Sequence, residues 1–100
     1  MPENPLKTIM NVDPGLVEHM RKEEDWAFAD GALSRKMKLL IALAYDAAHG
    51  AVAGVRSLAQ DAARAGATKE EIGEALRVAY VLSGIGSVYV GSQGIAELFS

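Results

Sequence analysis

The side chains of this chain best suited to chemistry are few: two histidines, one of them in the run Asp46-Ala-Ala-His49, with a tyrosine at 45 and an arginine and a serine at 56 and 57. On a helix, a spacing of three residues puts Asp46 and His49 on one face within hydrogen-bonding reach. A carboxylate so placed fixes the imidazole tautomer and raises its basicity, as general base catalysis requires. Asp46 and His49 are therefore the candidate catalytic pair, with Tyr45 lining the same hollow and Arg56 binding a carboxylate substrate. Each has a plainer alternative. A histidine at a helix C-terminus interacts with the last carbonyls beside a solvated aspartate, a tyrosine on a mostly apolar helix packs in the core, and an arginine faces solvent. His19 sits among Glu18, Arg21, Lys22, Glu23 and Glu24 on a charged outer face and is assigned no role.

The composition removes other chemistries. There is no cysteine, which excludes disulfides, thiolate nucleophiles and thiolate metal sites. The two histidines lie too far apart in the chain to give a metal-ligand spacing, and no glycine-rich phosphate loop follows a strand, so neither a metal nor a cofactor is expected. A formal net charge of −3 without a run of Lys or Arg argues against nucleic acid as a partner. Glu3 and Lys7 interrupt the N-terminal stretch before any signal-peptide core. No segment approaches the roughly 18–20 apolar residues of a membrane span. A soluble cytoplasmic protein without membrane contact is the expectation.

The elements that must position these residues read as helices. Half of the 100 residues are apolar, enough for one domain with its own core. Residues 1–12 read as a poorly ordered lead or an arm on a partner subunit, and 13–100 as the helical domain. Asp13-Pro14 is an N-cap followed by proline at the first helical position, opening an uneven apolar stripe of Leu16, Val17, Met20, Trp26 and Phe28. Trp26 and Phe28 fit either core packing or a subunit anchor. Ser34 caps a second helix with Met37, Leu40, Ile41, Ala44 and Tyr45 at helical spacing and Leu39 and Leu43 widening the face, which makes it central. It ends at His49-Gly50. A third helix covers about 51–65, with Val52, Val55, Leu58, Ala59, Ala62 and Ala63 inward. Thr68-Lys69-Glu70-Glu71 is a capping box opening a fourth, carrying Ile72, Leu76, Ala79 and Tyr80. A fifth covers 87–99, where Gly91 and Gly94 cost about 1 kcal/mol each in propensity and imply close backbone packing. Strand signals are nearly absent. The fold class is all-α, an antiparallel bundle of about five helices whose small-residue faces suggest self-association.

Two segments, residues 30–44 with Leu33, Lys36 and Leu40-Ile-Ala-Leu-Ala44, and residues 63–76 with Ala65-Gly-Ala-Thr68 and Glu70-Glu-Ile72, resemble the shared core of the carboxymuconolactone decarboxylase and AhpD-like (alkylhydroperoxidase-like) family. The resemblance covers about residues 13–98 and implies the AhpD-like bundle, assembled as a homo-oligomer with trimers or hexamers favoured. In redox members the helix after the first segment opens Cys-x-x-Cys-x-x-x-His. By the resemblance, the cysteines fall on Ala51 and Gly54, the histidine on Leu58 and the upstream glutamate near Leu39. All four roles are empty. Peroxide reduction needs a thiolate to attack the O–O bond and a second thiol to resolve the sulfenic acid, so the peroxidase activity implied by the family lacks its residues here. Two functions are compatible with what is left. One is a cofactor-independent lyase or acid/base enzyme acting on a small acidic organic molecule, with His49 as acid or base and Asp46 orienting it. The other is a non-catalytic oligomeric binding or scaffold protein.

Overall fold

The starts of three helices are set locally, by side chains that take up free amides of the first turn. The Asp13 carboxylate accepts from the Leu16 amide at 3.1 Å, the Ser34 hydroxyl from the Met37 amide at 3.1 Å, and Thr68 and Glu71 cap one another reciprocally. The computed structural model, which describes residues 4–99, has α1 (Lys7–Val12), α2 (Pro14–Phe28), α3 (Arg35–Ala48), α4 (Val52–Arg64), α5 (Lys69–Ser83) and α6 (Gly86–Phe99), the caps opening α2, α3 and α5. No strand occurs among the described residues. The all-α expectation holds, with six helices instead of about five.

The additional helix is α1, inside the segment read as a poorly ordered lead. Asn4 starts its turn by accepting from the Leu6 amide, and the Asp13 amide closes on the Ile9 carbonyl. It buries no residue and packs chiefly on α2. Residues 1–3 of the proposed arm lie outside the described residues.

The body is α3 to α6, with α3 against α4, α5 and α6. Its core consists of Leu39, Leu40, Leu43 and Ala47 from α3, Val55, Ala59 and Ala62 from α4, and Ile72 and Ala79 from α5, with Phe28, Leu58, Leu76 and Ile95 at its edge. The last helix enters this core through backbone. Gly91 and Gly94 are buried, and a Cβ on either would overlap Leu76 or Val55, which bears out the reading of close packing.

Several residues of the apolar stripes are not covered. Trp26 is 82% exposed, whereas Phe28 packs against the core. Met37, Ile41, Tyr45 and Tyr80 are also exposed. The reason lies in α3 itself. Residues 39, 40, 43 and 47 form one apolar stripe and 37, 41, 44 and 45 another, and within one protomer only the first is fully covered. Amphipathic spacing identifies an apolar face without saying what covers it.

Candidate functional site

The proposed catalytic pair sits where α3 ends. Gly50, with φ 78°, turns the chain there, a conformation that L side chains resist. His49 is the last residue before that turn, and its Nδ1 lies 2.9 Å from the Tyr45 carbonyl of its own helix. A carbonyl only accepts, so Nδ1–H donates and the free lone pair of the neutral ring is on Nε2. The ring is stacked on Tyr45, centroids 4.1 Å apart and planes 20° from parallel. Tyr45 is thus a surface partner of His49, 63% exposed, and not core.

Asp46 goes the other way. Its backbone carbonyl accepts from the Ala51 amide at 2.9 Å, and its carboxylate lies over the first turn of α4 against Gly54, where a Cβ would overlap Oδ2 and stand 2.9 Å from Cγ. The start of a helix favours negative charge. Among the described residues no hydrogen bond or ion pair links Asp46 to His49. The expectation that the two side chains meet on one face is therefore corrected: the carbonyl four residues back holds the imidazole, and the open side of Gly54 takes the carboxylate. Arg56 lies outside the Asp46 cleft, its Nε 3.8 Å from the Glu97 carboxylate of α6. His19 pairs with Glu23 at 3.0 Å on the exposed face of α2.

Asp46 nevertheless lines a cleft of about 310 Å³ between α2, α3 and α4. Leu39, Gly54 and Leu58 line it too, so three of the four positions that the resemblance assigned to catalytic groups converge on one hollow, with no thiol or imidazole in its lining. Sequence reasoning missed Arg35, Asp61, Glu24 and Asp25, which line the same cleft. The spacing 54, 58, 61 on α4 and 35, 39 on α3 follows the helical repeat and was a usable signal for Asp61 and Arg35. Four carboxylates face one guanidinium here, and Asp61 is already engaged by Arg64 at 2.8 Å. Such a lining disfavours an anion, so this cleft does not suit the acidic ligand expected above. Among the described residues no group of three or more His, Asp or Glu side chains is placed to hold a metal ion.

A second hollow, of about 360 Å³, is a groove between α3 and α5 lined by Met37, Leu40, Ile41, Ala44, Ala75 and Val78, with Glu71 and Glu74 on its rim. Val81 and Leu82, 77% and 81% exposed, continue the apolar surface along α5. Glu71 is held below the usual carboxylate range by the Thr68 amide that donates to it and by the Lys36 ammonium 2.9 Å away.

Fold and hollows together define an all-α protein built on a helical hairpin, with one polar cleft beside the α3–α4 turn and one apolar groove on the opposite side of α3. The chain belongs to the carboxymuconolactone decarboxylase family, whose model matches residues 14–90. No curated protein and no solved structure matches it. No helix is long and apolar enough to cross a membrane among the described residues.

Proposed function

We propose that this chain is a non-catalytic, self-assembling member of the family, in which the fold serves assembly and binding. One observation carries the reading: the cleft at the family's reactive positions is lined by Leu39, Gly54 and Leu58, while His49 is stacked on Tyr45 with Nδ1 committed to its own helix. A general base must reach the proton it removes, and an imidazole in this position does not enter the cleft. The exposed apolar stripe on α3 and α5 supports self-association, since contiguous uncovered apolar surface marks an interaction site. The expected assembly is a trimer or hexamer, in the cytoplasm, where a chain without cysteine loses nothing to a reducing environment.

The competing reading is the acid/base enzyme with His49 and Asp46, and a histidine NMR titration of the assembled protein separates the two. The non-catalytic reading expects the His49 midpoint to be the same in wild type and Asp46→Ala, with His49→Gln assigning the resonance. A midpoint that falls when Asp46 is removed means that assembly rotates the ring onto the carboxylate, and the enzyme reading then replaces this one. Sedimentation velocity supplies the other half, because a protein that stays monomeric at all accessible concentrations has no assembly function.

A further inference from the structure

We infer that the α3–α5 groove of one copy receives the α1–α2 corner of a second copy, so that the subunits join head to tail. The inference rests on the self-assembly proposed above and names the two surfaces that meet.

The protomer holds both halves of such a contact. Its groove is apolar and open to solvent, with Met37, Ile41 and Val78 between 44% and 57% exposed. Its N-terminal hairpin is an apolar segment without a seat: α1 buries nothing, α2 buries only Val17, and their corner leaves Met10, Val12 and Leu16 exposed. A hairpin that cannot cover its apolar side on its own body gains by covering it on another.

Area gives the scale. A compact monomer of 10.6 kDa is expected to expose about 5,500 Å², and this one exposes 6927 Å². The Cα radius of gyration, 14.1 Å, likewise exceeds the roughly 13 Å expected of a compact 100-residue chain. The excess is on the order of 1,000–1,500 Å². A stable contact buries about 800 Å² on each partner, so the excess covers one such contact and part of a second, the two that a head-to-tail protomer makes being through its corner and through its groove.

Charge points the same way. Lys7 is the single charge on α1, and Asp13 at the corner is committed to the Leu16 amide as the cap of α2. The groove rim carries Glu71, already paired with Lys36, and Glu74, which forms no ion pair among the described residues. Lys7 of the corner thus complements Glu74 of the groove. A head-to-tail contact closes into a ring when its rotation allows, which is how a trimer would arise.

The absence of cysteine makes the test clean. Val12→Cys and Val78→Cys change exposed side chains, 73% and 57% accessible, with little effect on folding expected. The two variants are co-expressed and treated with a short bis-maleimide, and the products are resolved on a denaturing gel beside each variant treated alone. The expected result is a linked dimer in the mixture at least several-fold above that in either single-variant control. In a chain carrying both substitutions, the expected product is a ladder ending at the size of the closed ring. A dimer from Val78→Cys alone overturns the inference in favour of a two-fold groove contact. A faster-migrating linked monomer overturns it in favour of a corner folding back on its own groove. An oligomer in sedimentation velocity with none of these links overturns the inference and leaves the self-assembly reading standing, whereas a monomer overturns both.

Discussion

Gly94→Ala tests the packing of the last helix. An added Cβ at this position overlaps Val55 Cγ1, stands 2.6 Å from Val55 Cβ and lies 3.3 Å from the Arg56 amide nitrogen. Comfortable carbon–carbon contact begins at about 3.5 Å. Val55 is fully buried and β-branched, and a helix leaves it essentially one rotamer. Relief must come from moving α6 away from α4. Overpacking costs about 1–3 kcal/mol, and two contacts below 3 Å with a side chain that has no second rotamer put this one in the upper half, about 2–3 kcal/mol; the gain in helix propensity returns about 1 kcal/mol. The net is a loss of about 1–2 kcal/mol for Gly94→Ala. In a domain of this size that lowers Tm by roughly 5–15 °C. Gly73→Ala is the control. It lies within α5, and nothing stands within 4 Å of its added Cβ, so the same substitution stabilises by about 0.5–1 kcal/mol. The assay is thermal unfolding followed by circular dichroism, at one fixed chain concentration so that any self-association contributes equally to each Tm. A Gly94→Ala variant that melts at or above wild type refutes the argument that α6 is seated backbone against side chain.

Four further outcomes follow from the geometry. Gly54→Ala destabilises wild type by displacing the Asp46 carboxylate but is neutral or stabilising in an Asp46→Ala background, and a double-mutant cycle by urea unfolding reads a coupling of about 0.5 kcal/mol or more. Leu43→Ala, at a fully buried position in the middle of α3, costs about 2–5 kcal/mol in the same assay. Because the Glu71 carboxyl is held below its ordinary value in the folded protein, its ionised form adds stability above that ordinary value, and the contribution is lost as pH falls through the lower folded one. The Tm advantage of wild type over Glu71→Gln is thus present at neutral pH and shrinks below about pH 4.5, and a difference independent of pH contradicts the assigned partners. Finally, Lys7→Glu and Glu74→Lys each weaken association in sedimentation, and the two together restore it if these charges meet across the subunit contact.

What the sequence made legible is what short range decides. Asp13, Ser34 and Thr68 with Glu71 mark helix starts because a cap and its amide lie within three residues of each other. Gly91 and Gly94 were readable because nothing but a close neighbour justifies two glycines in a helix. The candidate site was harder, because spacing allows a contact without deciding between competing partners. The Asp46–His49 spacing is favourable, yet each side chain had a second partner in reach, the Tyr45 carbonyl for one and the space over Gly54 for the other. Arg35 and Asp61 share a helix face with Leu39 and with Gly54 and Leu58, a signal that spacing carries, whereas Glu24 and Asp25 join the cleft only once α2 packs on α3. The exposure of Trp26 and Ile41 was hidden for another reason: an apolar stripe reads alike whether its own chain or another covers it.

The order of contacts along the chain also bears on how the protein matures. Within α3 to α6 much of the packing joins helices that are not neighbours in sequence, α4 on α6 and α3 on α5, so the body closes only when its last helix has been placed. The groove is complete as soon as α3 and α5 meet, before any second copy is in place. Each newly folded protomer therefore passes through an interval in which a finished apolar surface faces water, and its length depends on how many other protomers are nearby. Refolding at high dilution should leave that surface open longest, and crowded refolding should pit correct pairing against indiscriminate clustering. The yield of native protein is then greatest at an intermediate concentration, a kinetic signature written into the spacing of Met37, Ile41 and Val78.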